Sequence, residues 1–209
     1  PVTILKGQIE GMEQNVGVYK DRDKYLARAR EVTVTLQNMV QEILMISKME
    51  SCGFSLKKKE LDLAELVRLQ LADLTELFEQ KNMKLEITLP DQCLCRADPV
   101  LMETVLRNVL VNAVRYSPEK ERIRVNLYKE IQEISCEGCL RGSGNPVDAK
   151  EKTQGHKTVR LEVENTGVHI EETELSRVFD AFYRADSSRN RKSGGSGLGL
   201  YIVRQILEQ

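Results

Sequence analysis

Gly194-Gly195-Ser196-Gly197-Leu198-Gly199-Leu200 is the stretch on which the reading of this chain turns. Glycines alternate at 195, 197 and 199, directly before Leu200-Tyr201-Ile202-Val203, an apolar run that predicts a helix. Alternating glycines let backbone approach a ligand closely, and the N–H groups of the first helical turn, which lack partners in the helix, point at whatever binds. Anions suit such a helix start, phosphate especially. A flexible turn has the same composition, so the residues upstream must decide.

Immediately upstream, Phe179-Asp180-Ala181-Phe182-Tyr183-Arg184 leads into a Ser-, Arg- and Asp-rich segment, Ala185 to Lys192. With aromatics at one end and glycines at the other, this segment resembles a lid. Its Arg184, Arg189, Arg191 and Lys192 suit phosphates; the alternative is a solvated basic loop. A short helix is expected from Glu172 to Phe179. Before it, Glu164-Asn165-Thr166-Gly167-Val168-His169-Ile170 follows a strand, and Gly167 permits a tight turn against a ligand. Asn165 offers both an acceptor and a donor there. His169 reads as a structural loop histidine, with a catalytic base as the alternative.

Two strands show period two, Ile123-Val125-Leu127 and Val159-Leu161-Val163. Between them, about 133–157 is polar and Gly-rich and reads as a loop insertion. It holds Cys136 and Cys139, with His156 further on. A zinc site needs a second pair, so the two cysteines read as reduced loop thiols.

Upstream again, Asp98-Pro99 opens a helix that Ser117-Pro118 stops. One face is apolar (Met102, Val105, Leu106, Val109, Ala113), and Asn108, Asn112 and Arg115 share another at steps of four and three. As core residues the two amides need partners. As ligands, their carbonyl oxygens suit a hard cation such as Mg²⁺, and Arg115 suits phosphate. Both readings stand on this helix alone. Met83, Leu85, Ile87 and Leu89 predict a half-buried strand, and Asp62-Leu63-Ala64-Glu65 a capping box that opens a helix carrying Leu66, Val67, Leu71, Leu74 and Phe78.

At the start of the chain, Val2, Leu5, Ile9, Met12 and Val16 alternate at steps of three and four. The pattern resumes beyond Gly17 at Tyr25, Ala29, Val32, Leu36, Met39, Ile43 and Ile46. A 3.5-residue period makes a seam that faces another helix. Val34, Val40, Leu44 and Met45 widen it, so the second helix is expected to touch more than one neighbour. One hairpin has too little surface to bury both stripes; two make a four-helix bundle, which predicts a homodimer through residues 1–50. The alternative is a monomeric hairpin packed on the rest of the chain. Ser51-Cys52-Gly53 ends the helix, and residues 51–60 read as a connector.

The totals agree with an ordinary domain plus a smaller piece: 209 residues, 30% charged, net charge −1. Near balance of charge argues against direct nucleic-acid binding. Five cysteines without regular spacing indicate a reducing compartment, and no run is long enough to span a membrane.

In their order and spacing, four stretches resemble the sequence boxes of sensor histidine kinases. Asn108 to Pro118 is similar to the N box, Glu164 to Ile170 to the first glycine box, Phe179 to Arg184 to the F box, and Gly195 to Leu200 to the second glycine box. The heptad hairpin matches that family's dimerisation and phosphotransfer helices. Around the lid the wording is similar to the antibiotic-resistance and envelope-stress sensors, such as those of vancomycin resistance.

The resemblance implies an α+β chain: a helical hairpin over residues 1–50, a connector over 51–60, and an ATP-binding domain over 61–209. That domain would be an α/β sandwich of the type shared with Hsp90, gyrase and MutL. It implies that ATP and Mg²⁺ bind there, with Asn112 on the metal, Asn108 on the metal or the phosphates, Arg115 on phosphate and Tyr116 on the adenine ring. Asn165 stands where the family usually has Asp for the adenine amine; an Asn carbonyl also accepts that bond, as a neutral acceptor. Gly167, Ile170, Gly195, Gly197, Leu198 and Gly199 would shape the pocket and lid. Pro1 resembles the Pro of the family's H-E-x-x-x-P motif, so the phosphoacceptor His is expected upstream of this chain, and the last strands and third glycine box are expected downstream. The implied function is the cytoplasmic transmitter of a membrane-anchored sensor that phosphorylates a histidine and then an aspartate in a response-regulator receiver domain. An ATPase of the Hsp90–MutL kind and a non-catalytic nucleotide-sensing scaffold are the alternatives.

Overall fold

A computed structural model describes residues 1–51, 53–132, 156–184 and 195–209. Two helices, α1 (Val2–Glu13) and α2 (Arg22–Glu50), form the expected hairpin, joined through a 3₁₀ turn at Gly17–Lys20. Gly11 makes the turn possible. A Cβ there would clash with the ring of Tyr19, which folds back on α1 and lies 4.6 Å from the Tyr25 ring. Asp21 caps α2 by accepting from Lys24 N at 3.2 Å.

The rest is a layer of helices on a sheet. Strand β1 (Lys59–Asp62) pairs antiparallel with β3 (Leu94–Ala97); neither was expected, and Lys59 and Glu60 belong to a strand rather than to a connector. Four-residue strands carry too little periodicity to stand out, and these are fixed by pairing between distant segments, Lys59 opposite Ala97 to Asp62 opposite Leu94. The main sheet runs β2-β4-β5, from β2 (Lys84–Thr88), β4 (Arg122–Gln132) and β5 (His156–Asn165). β2 lies parallel to β4, and β5 antiparallel, with Val125 opposite Val163 and Leu127 opposite Leu161. His156 therefore starts a strand instead of sitting in a loop. Cys136 and Cys139, and lid residues 185–194, lie outside the described residues.

Asp62 caps α3 (Leu63–Asp73) as the sequence predicts, but its box partner does not reciprocate. Asp62 Oδ1 accepts from Ala64 N at 3.1 Å and from Cys93 N at 2.9 Å, while Glu65 pairs with Arg68. The expected single helix to Phe78 breaks at Leu74, and α4 (Thr75–Gln80) follows. Leu63, Val67, Leu71 and Phe78 then pack with Leu106, Leu110, Ile123, Val125 and Leu127 into one core under the sheet.

Helix α5 (Pro99–Tyr116) divides its sides between three neighbours. Leu106, Leu110, Ala113 and Val114 enter the sheet core; Leu101 and Val105 enter a second core with Met49, Leu198, Ile202, Val203 and Ile206. The second core joins α5, α7 (Gly199–Leu207) and the end of α2, where Met45 and Ile46 also pack. So α2 does touch a second neighbour. Val34, Val40 and Leu44, expected to widen its seam, are instead exposed, because the face of α2 that packs is the one carrying Met45, Ile46 and Met49. Helix α6 (Glu172–Leu175) is one turn, shorter than expected. No helix among the described residues is long and apolar enough to cross a membrane.

Candidate functional site

The third side of α5 carries Asn108, Asn112 and Arg115 into a cleft of about 630 Å³, together with Tyr116. The opposite lining includes Gly195, Ser196, Gly197 and Gly199, which lead into and open α7. Two distant stretches of sequence thus meet because α5 and α7 share the second core. Ser196 Oγ accepts from Leu198 N at 3.1 Å, which stiffens the turn just ahead of the helix.

Each glycine that lines the cleft is demanded by a neighbour. A Cβ on Gly199 would lie 2.8 Å from Asn108 Oδ1, and one on Gly195 3.0 Å from an Arg115 guanidinium nitrogen. Gly197 has φ +77°, and its carbonyl accepts from Phe182 N at 2.9 Å; a Cβ there would meet the Phe182 backbone. Gly199, the first residue of α7, therefore lies against the side chains of both asparagines.

Asn108 is oriented by its own helix. Its Nδ2 donates to Thr104 O at 3.0 Å, so Oδ1 is the atom turned toward Gly199. Neutral oxygen acceptors, a guanidinium and a helix N-terminus in one cleft suit a phosphate chain with its cation. Among the described residues no three His, Cys, Asp or Glu side chains gather as a self-sufficient metal site. The amide oxygens would fit Mg²⁺ that takes its remaining ligands from phosphates and water, since this ion is seldom held by a dedicated all-protein cage. Glu42, on the α2 wall of the cleft, adds a buried Oε2 without a hydrogen-bond partner among the described residues, a carboxylate oxygen that would gain from a nearby cation.

The other sequence-predicted residues fall elsewhere. Leu198 is fully buried in the second core, so its side chain packs rather than lining the cleft. Asn165 ends β5 opposite Ile123, and Gly167 (φ +84°) presses against Glu121 and Pro118 in the turn that follows α5. Asn165 and Gly167 thus sit by the segment that follows α5, and neither they nor Ile170 line the cleft. That turn is held by Thr166, whose hydroxyl donates to Glu121 at 2.5 Å and accepts from Arg122 N at 3.0 Å. Arg184 reaches Gly195 O at 3.3 Å, while Arg189, Arg191 and Lys192 lie outside the described residues.

One wall went unread in the sequence. Thr35, Asn38 and Glu42 of α2 face the cleft. Their steps of three and four form a polar stripe beside the apolar seam, and that stripe was the available signal.

Residues 97–209 match the family of histidine kinase-, DNA gyrase B- and HSP90-like ATPases, and the chain belongs to it. Its relatives are sensor histidine kinases. It is 32% identical over 208 residues to the sensor protein VanSB of Enterococcus faecalis, covering 100% of this chain and 41% of that protein. To the Escherichia coli K12 sensor histidine kinase CusS it is 31% identical over 99% of this chain and 38% of the relative. The chain thus spans about two-fifths of the length of these relatives. The fold is that of the Acinetobacter baumannii histidine kinase AdeS, at a TM-score of 0.64 and 21% identity over 100% of this chain and 83% of that one. Histidine kinase ThkA, solved in complex with response regulator TrrA, aligns at 0.62 and 22% identity over 88% of this chain and 47% of that one.

Proposed function

We propose that this chain is the cytoplasmic, ATP-binding transmitter part of a membrane sensor histidine kinase. In this reading it moves the γ-phosphoryl group of ATP to a histidine, and from there to an aspartate of a response-regulator receiver domain. The observation that carries the reading is the convergence of Asn108, Asn112, Arg115 and Tyr116 on the glycine turn and the α7 N-terminus.

Phosphoryl transfer asks a protein mainly for positioning and charge neutralisation. Asn112 and Asn108 would hold Mg²⁺, which would supply positive charge against the phosphates. Arg115 neutralises a phosphate oxygen, and the α7 N–H groups bind the chain of phosphates where it lies. Tyr116 closes the adenine end, with Asn165, Gly167 and Ile170 beyond it. Residues 1–50 serve as the dimerisation and phosphotransfer hairpin and the body from about residue 61 as the ATP-binding domain. The ThkA complex with its regulator supports a receiver domain as the second partner.

The test is to incubate the full-length protein with labelled ATP and Mg²⁺. Protein-bound phosphate that is acid-labile but alkali-stable marks phosphohistidine. Asn112→Ala should abolish both that label and Mg²⁺-dependent ATP binding. ATP hydrolysis without such a label would reduce the assignment to an ATPase, and unchanged binding in the variant would remove Asn112 from the site.

A further inference from the structure

Arg115 and Tyr116 are the last two residues of α5, where a helix has unpaired carbonyls and tends to fray. A fraying last turn would scatter the two side chains that close this end of the cleft. Here the turn is pinned from outside. Lys81, the residue that ends α4, extends its ammonium to Val114 O at 2.7 Å, Ser117 O at 2.8 Å and Arg115 O at 3.1 Å. An ammonium has three N–H donors, and all three are directed to these carbonyls. Ser117 completes the cap, its Oγ donating to Ala113 O at 2.7 Å.

The anchor behind Lys81 is firm. Its N–H bonds to Leu77 O at 3.3 Å, and its carbonyl accepts from Lys120 N at 2.9 Å. Asn82, in the left-handed region at φ +50°, turns the chain directly into β2. The positive charge also meets the negative end of the α5 dipole. A solvated lysine serves solubility equally well anywhere; one bonded to three carbonyls of a single helix end, half-buried and seated on a strand entrance, holds a position.

We infer that Lys81 is a positioning residue of the nucleotide cleft, fixing the last turn of α5 and through it Arg115 and Tyr116. The inference rests on the nucleotide reading above. It predicts that losing the ammonium weakens ATP binding by acting through Arg115, without Lys81 touching the nucleotide.

A double-mutant cycle on the full chain tests it, with Mg–ATP affinity measured by calorimetry and folding by circular dichroism. Lys81→Met should keep a cooperative melt and weaken ATP binding about tenfold, and Lys81→Arg should restore most of that loss. In an Arg115→Ala background the Lys81→Met penalty should shrink to about twofold or less. Penalties that multiply independently would overturn the Lys81 inference while leaving the site intact. An Arg115→Ala variant that binds Mg–ATP normally would overturn the site reading, and this inference with it. Should Lys81→Met unfold, Lys81→Gln, which keeps two donors, runs the same cycle.

Discussion

In the sheet-bearing body, Leu106, Ile123 and Val125 are completely buried, whereas in the hairpin Val2, Ile9 and Ile43 are 65%, 50% and 48% exposed. Both sets follow clean periodic patterns, so pattern alone does not explain the difference. The body has helices on one side of its sheet and a second core where α5, α7 and α2 meet, and its apolar stripes find partners within the chain. The hairpin buries Met12 and Ala29 where its two helices meet and Met49 where the end of α2 joins the second core, while Val2, Ile9 and Ile43 stay outward among the described residues. If the hairpin is the dimerisation unit proposed above, that exposed apolar face is where a second copy would pack.

The largest break in this comparison should come from the body. Leu106→Ala removes a fully buried side chain and should cost about 2–5 kcal/mol in urea unfolding, while Ile9→Ala should stay within about 0.5 kcal/mol in dilute solution. A comparable loss at both sites would mean that the hairpin face is already covered under those conditions. Next is association. A double variant, Ile9→Asp with Ile43→Asp, should convert a dimer to a monomer in sedimentation while preserving Mg–ATP affinity. A wild-type mass of one chain at high concentration would leave the exposed seam without its proposed role.

The smallest effect concerns two helix caps. Asp21 in the hairpin caps only its own helix, whereas Asp62 in the body also ties α3 to the turn before β3. The Cys93 N–H is the main influence holding the Asp62 carboxyl below its ordinary range, against the opposing effect of burial. A folded pKa below the unfolded one gives stabilisation that is complete above the unfolded value and lost as pH falls through the folded one. Acid unfolding of Asp62→Asn should therefore be less steep below about pH 4 than that of the parent. Identical acid limbs would show that the tie to Cys93 adds nothing.

Much of this architecture was legible in the residues. Heptad steps marked α1 and α2, Asp98-Pro99 and Ser117-Pro118 bounded α5, and period-two runs located β2, β4 and β5, because each signal is local and repeats over several residues. The convergent part of the site was legible too, through Asn108, Asn112 and Arg115 on one face and the glycines ahead of α7.

What tertiary structure decided are contacts between distant segments. Pairing alone made strands of 59–62 and 94–97, and packing on α5 and α7 turned one flank of α2 into a cleft wall at Thr35, Asn38 and Glu42. Leu198, inside the glycine stretch, went to the core because α7 packs there through Ile202, Val203 and Ile206. Lys81 gained its place only when the end of α4 came beside the end of α5, 33 residues away in sequence at the Val114 carbonyl. Periodicity and capping are read within one element and so reside in the sequence; partners supplied by another element exist only once the chain has folded.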